Sequence, residues 1–360
     1  MKPTQALHQA GQSLWLDNIT RDLLSSGTLR RYIDELAITG LTSNPTIFDH
    51  AFQTSGAYDE AIRSAAHGAR SLEDVFFALA IDDLRQAADL FRGIWDRTDG
   101  VDGWVSLEVS PQLAYETQGT IAAAAQLFAR AGRPNLFIKI PGTEQGLPAI
   151  EEAIFAGVPV NVTLLFSVEQ YLAAAGAYMR GLERRVEAGL DPQVGSVASV
   201  FVSRWDTVPE STEQPADLHD RLGIAQAKRA YCGYRRLLGS ARWQRLANEG
   251  ARPQRLLWAS TGTKDPDASD VLYVRALAAP LTVNTMPEKT LLAFADQGEV
   301  GEHLAADGGD DDVIARFSAA GVDVTALGAR LQAEAADKFV GSWDELLATI
   351  ARKTEAVTAG

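Results

Sequence analysis

Apolar and polar residues alternate with period two in several short stretches of the chain, and the same phase recurs from one stretch to the next. In Leu136-Phe137-Ile138-Lys139-Ile140-Pro141, Leu136, Ile138 and Ile140 share one face while Phe137 and Lys139 share the other. Leu14-Trp15-Leu16-Asp17 sets two leucines against Trp15 and Asp17, and Val105-Ser106-Leu107-Glu108-Val109 sets aliphatics against Ser106 and Glu108. Residues 158–164 place Val160, Val162 and Leu164 opposite Asn161 and Thr163, and residues 197–202 place Ala198, Val200 and Val202 opposite Ser199 and Phe201. Each stretch is oily on one face and carries a polar residue late on the other. Closing such strands into a barrel turns the oily faces to a helical shell and gathers the polar groups at one end.

Eight candidate strands lie near 13–17, 36–43, 104–109, 135–140, 158–164, 196–202, 255–260 and 281–285, with helical stretches between most of them. Alternating strand and helix implies a parallel sheet, and eight such units imply a (β/α)8 barrel. Ser167 with Gln170 three residues on forms a capping box that opens a helix through Tyr171, Leu172, Ala175, Met179 and Leu182. Residues 121–131 and 147–156 read as further helices, the second ending at Gly157, and 44–104 should hold two or three, including an amphipathic stretch over 72–95. The fold class expected is therefore α/β, with 1–360 forming one barrel domain and extra helices within 45–103 and at the C-terminus. Residues 207–216, rich in Pro, Glu, Ser and Thr, read as an exposed loop, and the acidic run 301–312 as a solvated one.

An ammonium facing a protein interior is costly unless it is paired or gives up its proton. At the unperturbed pKa only about 1 lysine in 2,500 is neutral at pH 7, and a neutral amine is what carbonyl chemistry through a Schiff base needs. A structural lysine, snorkelling from a strand end or paired with a carboxylate, is the plainer reading of Lys139 taken alone. The repetition of the pattern favours a site. Barrel enzymes build their sites at the C-terminal strand ends, and there the polar residues are Asp17, Thr42 with Asn44, Glu108, Lys139, Asn161 with Thr163, Ser199 and Ser260. One lysine, two carboxylates and several amides and hydroxyls suit aldol chemistry by imine formation: the lysine attacks a ketone, and the carboxylates move the protons.

Composition narrows the partners. A length of 360 residues, 46% apolar and 22% charged, is enough for a large core. A net charge of −14 argues against nucleic acid but leaves room for a small phosphorylated substrate, which one or two local cations can hold. Cys232 is the only cysteine, which suits a reducing cytoplasm, and the start of the chain shows no secretory signal pattern. No apolar run is long enough to span a bilayer. His8, His50, His67, His219 and His303 show no paired ligand spacing, so neither a metal nor another cofactor is expected.

Ser13-Leu-Trp-Leu-Asp17-Asn18, Gly40-Leu-Thr-Ser-Asn44-Pro-Thr-Ile-Phe48, Ile138-Lys139-Ile-Pro141 and Asn161-Val-Thr163-Leu-Leu-Phe-Ser167 resemble the motifs of the transaldolase family, in the family's order, over about residues 10–350. The long form resembles a bacterial subgroup. The resemblance implies a (β/α)8 barrel with its Schiff-base lysine on the fourth strand. It also implies transfer of a dihydroxyacetone unit between sedoheptulose 7-phosphate and glyceraldehyde 3-phosphate, giving erythrose 4-phosphate and fructose 6-phosphate, in the non-oxidative pentose phosphate pathway. Residue by residue, Lys139 resembles the imine-forming lysine and Glu108 the acid/base acting through a water that Thr163 helps hold. Asp17 resembles the carboxylate that exchanges a proton with the C4 hydroxyl. Asn44 and Asn161, with Thr42 beside them, resemble the groups that orient the dihydroxyacetone hydroxyls; Ser199 and Arg204 resemble a phosphate-binding pair, and Phe201 a pocket wall.

The match departs at the seventh strand. Many family members carry an arginine shortly after the Ala-Ser that matches Ala259-Ser260, whereas this chain reads Thr261-Gly262-Thr263-Lys264-Asp265. Lys264 is the candidate second phosphate cation, against the plainer reading of a solvated loop lysine. Arg204 has its own plainer reading as a surface partner of Asp206 or Glu210, and Asp17 as a turn residue with Asn18. Trp15, Trp104 and Trp258 read as barrel packing, and Cys232 as a small buried residue. Two rivals to transfer remain: an imine-forming aldolase that releases the three-carbon unit free, and a non-catalytic sugar-phosphate-binding barrel. Retention of the lysine, both carboxylates and both amides speaks against the second. Partners expected are small phosphorylated sugars, with the protein a monomer or homodimer in the cytoplasm.

Overall fold

Eight parallel strands pair in chain order and close on themselves, β8 returning to β1. They are β1 (Gln12–Asp17), β2 (Ile38–Thr42), β3 (Val105–Glu108), β4 (Leu136–Pro141), β5 (Val160–Leu165), β6 (Ser196–Phe201), β7 (Arg255–Ala259) and β8 (Thr282–Met286). The computed structural model describes residues 1–66, 69–207, 216–307 and 309–358. Most of the expected loop 207–216 and His67 lie outside these residues. Helices follow most of the strands, making a (β/α)8 barrel.

The alternation read from the sequence separates two cores. Leu14, Leu16, Val105, Leu107, Leu136, Ile138, Ile140, Val160, Val162, Ala198 and Val200 turn outward into one continuous cluster with the helical shell. Trp15, Phe137, Val197, Leu257 and Val283 turn inward and fill the barrel, as side-chain layers do in this architecture. Trp104 stacks on Phe137 with ring centroids 4.0 Å apart, and Trp15 lies 6.1 Å from Phe137. Trp258 belongs to the outer core, its indole N–H donating to the Leu277 carbonyl. Gly40 in β2 makes this filling possible: a Cβ there would stand 2.7 Å from the Trp15 ring and 2.6 Å from the Trp104 carbonyl oxygen. An aromatic floor thus closes the barrel beneath the polar strand ends.

Leu164 departs from the expected alternation. It sits at φ +60°, where the β5–β6 register shifts between Val162 and Leu165. The bulge adds a residue and re-aims the strand, so Leu164 joins Phe166, Phe201 and Trp205 in the inner cluster and not the shell with Val160 and Val162. Its carbonyl oxygen accepts a hydrogen bond from the Gln332 amide.

The capping box at Ser167 and Gln170 opens the helix Val168–Glu187, and the stretch 44–104 holds the helices Pro45–Thr54, Asp59–Ala66 and Leu72–Arg97. The acidic run 301–312 is a loop only in part, because Asp311 and Asp312 form the first turn of the helix Asp311–Ala319, where carboxylates complement the helix dipole. Asp310 pairs with Lys228 at 2.7 Å. The last helix, Val324–Thr358, is about 52 Å long at 1.5 Å per residue. It anchors at both ends of its course: Gln332 reaches the ends of β4 and β5, Trp343 packs against Phe76 with centroids 4.9 Å apart, and Thr349 donates to Asp49 at 2.7 Å.

Candidate active site

Lys139 is the fourth residue of β4, held between Glu108 of β3 and Asn161 of β5, its register partners. Its ammonium lies 3.0 Å from Glu108 Oε2 and 3.0 Å from the Ser43 carbonyl oxygen, and both charged side chains are buried. The interior charge that the sequence displays is therefore met by a carboxylate on the adjacent strand. Burial raises the Glu108 pKa; the charge and hydrogen bond of Lys139 oppose that rise, and the nearby Asp17 charge adds to it. The second carboxylate oxygen, Glu108 Oε1, is buried with no hydrogen-bond partner among the described residues, and so is Thr163 Oγ1 on β5.

Asp17 ends β1 and accepts a hydrogen bond from Thr42 Oγ1 of β2 at 2.7 Å. Burial raises the Asp17 pKa, opposed by the Thr42 hydrogen bond and by the charges of Lys139 and Lys264. The Thr42 hydroxyl also lies 2.7 Å from Thr285 Oγ1 on β8, and the Thr285 carbonyl accepts from Thr261 Oγ1 just past β7. Neither Thr285 nor Thr261 is prominent in the sequence. The rule that singles out Asp17 and Lys139 reaches Thr285, which follows the inward Val283 by two residues, late in its strand. The Ser43 carbonyl is different: a backbone acceptor leaves no signal in residue type.

The two amides play unequal parts. Asn44 caps the helix Pro45–Thr54, its Oδ1 accepting from the Ile47 N–H at 3.0 Å; its NH2 has no partner among the described residues. Asn161 is fully buried and bonded at both ends of its amide, donating to Ser106 Oγ at 3.1 Å and accepting from Ser199 Oγ at 2.7 Å. Ser199 thus spends its proton inside the barrel, and Ser106 joins the network as an inward polar residue.

At the rim, Phe201 ends β6 and Arg204 follows in the short turn Ser203–Thr207, its guanidinium 5.8 Å from the Phe201 ring centroid. Arg204 has no ion-pair partner among the described residues. Asp206, in the same turn, accepts instead from the Tyr273 hydroxyl at 2.9 Å and the Gly223 N–H at 3.1 Å, and burial pushes its pKa to about 7. Ser260 adopts a left-handed φ of +55° after β7, a conformation that side chains disfavour and that clusters at functional sites. Its hydroxyl lies 2.9 Å from Ser203 Oγ, tying the β7 end to the β6 end. Beyond it, the exposed Lys264 has its pKa lowered by burial and by the charges of Arg204 and Lys338, opposed by the charge of Asp17. Lys338 comes from the C-terminal helix, which no strand-end rule reaches.

Among the described residues no group of three or more His, Cys, Asp or Glu is arranged to hold a metal. Cys232 is buried in the helix Leu222–Leu238. The arrangement offers a lysine beside a proton-accepting carboxylate, a second carboxylate on a threonine relay, and cations at the rim.

A family model described as transaldolase/fructose-6-phosphate aldolase matches residues 14–350. Similar proteins described as transaldolases include one from Saccharopolyspora erythraea, 46% identical over 96% of this chain and 96% of its own. Others come from Thermobifida fusca, 46% identical over 99% of both chains, and Frankia alni, 44% identical over 98% of this chain and 97% of its own.

Proposed function

The chain belongs to the transaldolase/fructose-6-phosphate aldolase family, and from that premise we propose how its strand ends carry out transaldolase chemistry. It is a transferase acting on phosphorylated sugars. It moves a dihydroxyacetone unit between sedoheptulose 7-phosphate and glyceraldehyde 3-phosphate, giving erythrose 4-phosphate and fructose 6-phosphate.

The observation that carries the reading is the buried pair of Lys139 and Glu108, with Glu108 Oε1 and, on β5, Thr163 Oγ1 buried without partners among the described residues. Burial raises the Glu108 pKa, which readies this carboxylate to take the Lys139 proton as the substrate binds. The neutral Lys139 amine then adds to the C2 carbonyl of the donor sugar. The carbinolamine loses its hydroxyl as water, protonated by Glu108 through a water that Oε1 and Thr163 Oγ1 hold, and leaves an iminium. Asp17 takes the C4 hydroxyl proton, the C3–C4 bond breaks, and its electron pair moves into the iminium to give an enamine while the aldehyde departs. The enamine adds to the acceptor aldehyde, and Asp17 returns its proton. Water adds to the new iminium while Glu108 takes up the released proton, so that the carbinolamine collapses to the product ketone and the neutral lysine. Every proton has a named carrier, and no metal or other cofactor is required.

Asn44 and Asn161 orient the dihydroxyacetone hydroxyls, with Thr42 holding Asp17 in place. Phe201 walls the pocket, and Arg204 with Lys264 and Ser260 receives the phosphate, while Ser199, expected in the phosphate-binding pair, spends its proton on Asn161 and holds that amide in place. The whole chain, 1–360, works as one barrel domain, elaborated within 45–103 and at the C-terminus, as a monomer or homodimer in the cytoplasm with no nucleic-acid partner. Among the described residues no helix is long and apolar enough to cross a membrane.

The test is a coupled assay of fructose 6-phosphate with and without erythrose 4-phosphate. Turnover that depends on the acceptor supports transfer. Equal release of glyceraldehyde 3-phosphate without acceptor would mean that the protein is an aldolase that frees the three-carbon unit.

A further inference from the structure

The C-terminal helix Val324–Thr358 lies across the end of the barrel that carries the site. Gln332 Nε2 donates to the Leu164 carbonyl at 2.9 Å and to the Gly142 carbonyl at 3.1 Å, at the ends of β5 and β4. Leu331, Ala335, Ala336 and Phe339 are buried in the cluster that holds Phe201 and Trp205. With 3.6 residues per turn, Lys338 falls two turns after Leu331 and close to Ala335, on the flank of that packed face. It is exposed.

Lys264 feels both other cations: burial, and after it the charges of Arg204 and Lys338, hold its ammonium below the usual lysine range, opposed by the Asp17 carboxylate. None of the three has an ion-pair partner among the described residues. Glu334, one turn before Lys338, pairs with Arg330 at 3.4 Å. The chain has 47 acidic side chains against 33 basic ones, so three neighbouring cations that form no ion pair among the described residues are not what an average patch of this surface offers. An anion placed among them is attracted by all three charges.

We propose that Lys338 is a third cation of the sugar-phosphate subsite, reaching from the C-terminal helix to close with Arg204 and Lys264 around the phosphate dianion. This rests on the transaldolase reading above. It gives the C-terminal helix a part in substrate recognition, in addition to its packing over the strand ends.

The experiment compares the wild type, Lys338→Gln and Lys338→Arg with fructose 6-phosphate, with unphosphorylated fructose, and with inorganic phosphate as inhibitor. Lys338→Gln should raise KM for fructose 6-phosphate about fivefold, the scale of an exposed charge contact, and weaken inhibition by phosphate by a similar factor. Lys338→Arg should restore both. An unchanged KM and unchanged phosphate inhibition in Lys338→Gln overturn the proposal. An equal loss on unphosphorylated fructose overturns it too, since that would mark a helix-packing role. Borohydride trapping of the wild type with fructose 6-phosphate separates the two levels: no adduct on Lys139 removes the underlying reading, whereas an adduct with an unaltered Lys338→Gln removes only the role of Lys338.

Discussion

The Lys139 ammonium and Glu108 Oε2 lie 3.0 Å apart on adjacent strands, level in the barrel and almost shut off from solvent. A buried pair of this kind contributes little to stability, because desolvation offsets most of its Coulombic gain. It does set a proton between an amine and a carboxylate whose pKa burial has raised.

If the amine is the nucleophile, borohydride added with fructose 6-phosphate should fix a three-carbon adduct, and peptide mass mapping should find it on Lys139. Lys139→Met should form none while keeping its circular dichroism spectrum. Its Glu108, left buried without a cation, would take up a proton. An adduct on Lys264 or any other lysine would move the nucleophile elsewhere.

The carboxylates should divide the work. General acid/base groups are worth about 10²- to 10⁴-fold, and both Glu108→Gln and Asp17→Asn should lose activity on that scale. They should differ in where they stop. Glu108→Gln should trap imine slowly, whereas Asp17→Asn should trap it readily and fail to release aldehyde. Rapid-quench measurement of both products decides this; normal turnover in either variant would refute the assignment.

Thr285 acts through other residues. Its hydroxyl lies 2.7 Å from Thr42 Oγ1, which donates to Asp17. Thr285→Val keeps the shape and removes the relay's end, so kcat should fall by roughly tenfold, the value of about one net hydrogen bond. KM should stay close to that of the wild type, and Thr285→Ser should recover most of the rate. A change confined to melting temperature would make Thr285 a packing residue only.

Period-two alternation made the barrel legible, because outward aliphatics and inward polar or aromatic residues fall on opposite faces of each strand. Lys139, Glu108, Asp17 and Asn161 stood out for the same reason, as polar side chains in an otherwise apolar stretch. Three features escaped that reading. Leu164 breaks phase at a bulge, where backbone geometry and not residue type decides the direction of the side chain. The Ser43 carbonyl is a main-chain group common to every residue. Lys338 lies on a helix nearly two hundred residues from Lys139, brought near the strand ends by packing of Leu331, Ala335 and Phe339 that no local pattern encodes.

Asp206 makes stability depend on pH. Its folded pKa of about 7 stands above the ordinary aspartate value of 3.8, chiefly through burial. Between those two values the folded protein holds a proton that the unfolded chain has released, so stability falls as pH rises, by at most about 1.4 kcal/mol per pH unit. Asp206→Asn should flatten the dependence between pH 4 and 7 in urea titrations. A dependence as steep in the variant as in the wild type would place its origin in Glu108, Asp17 or another group.

Arg204 supplies the last prediction, because its surroundings distinguish phosphate binding from a surface ion pair. Asp206, one of its two candidate surface partners, is engaged by Tyr273 and Gly223, the other, Glu210, lies outside the described residues, and the guanidinium packs over Phe201 at the pocket rim. Its planar fork suits two phosphate oxygens at once, which a lysine cannot match. Hydrogen bonds to charged groups are worth roughly 1.5–3 kcal/mol each, so Arg204→Ala should weaken fructose 6-phosphate by at least about tenfold. Lys264 would remain as a point charge, and Arg204→Lys should recover only part of the loss because it restores charge without the fork. Unphosphorylated fructose should react poorly with the wild type and be nearly indifferent to either change. If Arg204→Ala leaves the KM for fructose 6-phosphate where it was, the phosphate is held elsewhere, and Lys264 becomes the first residue to replace.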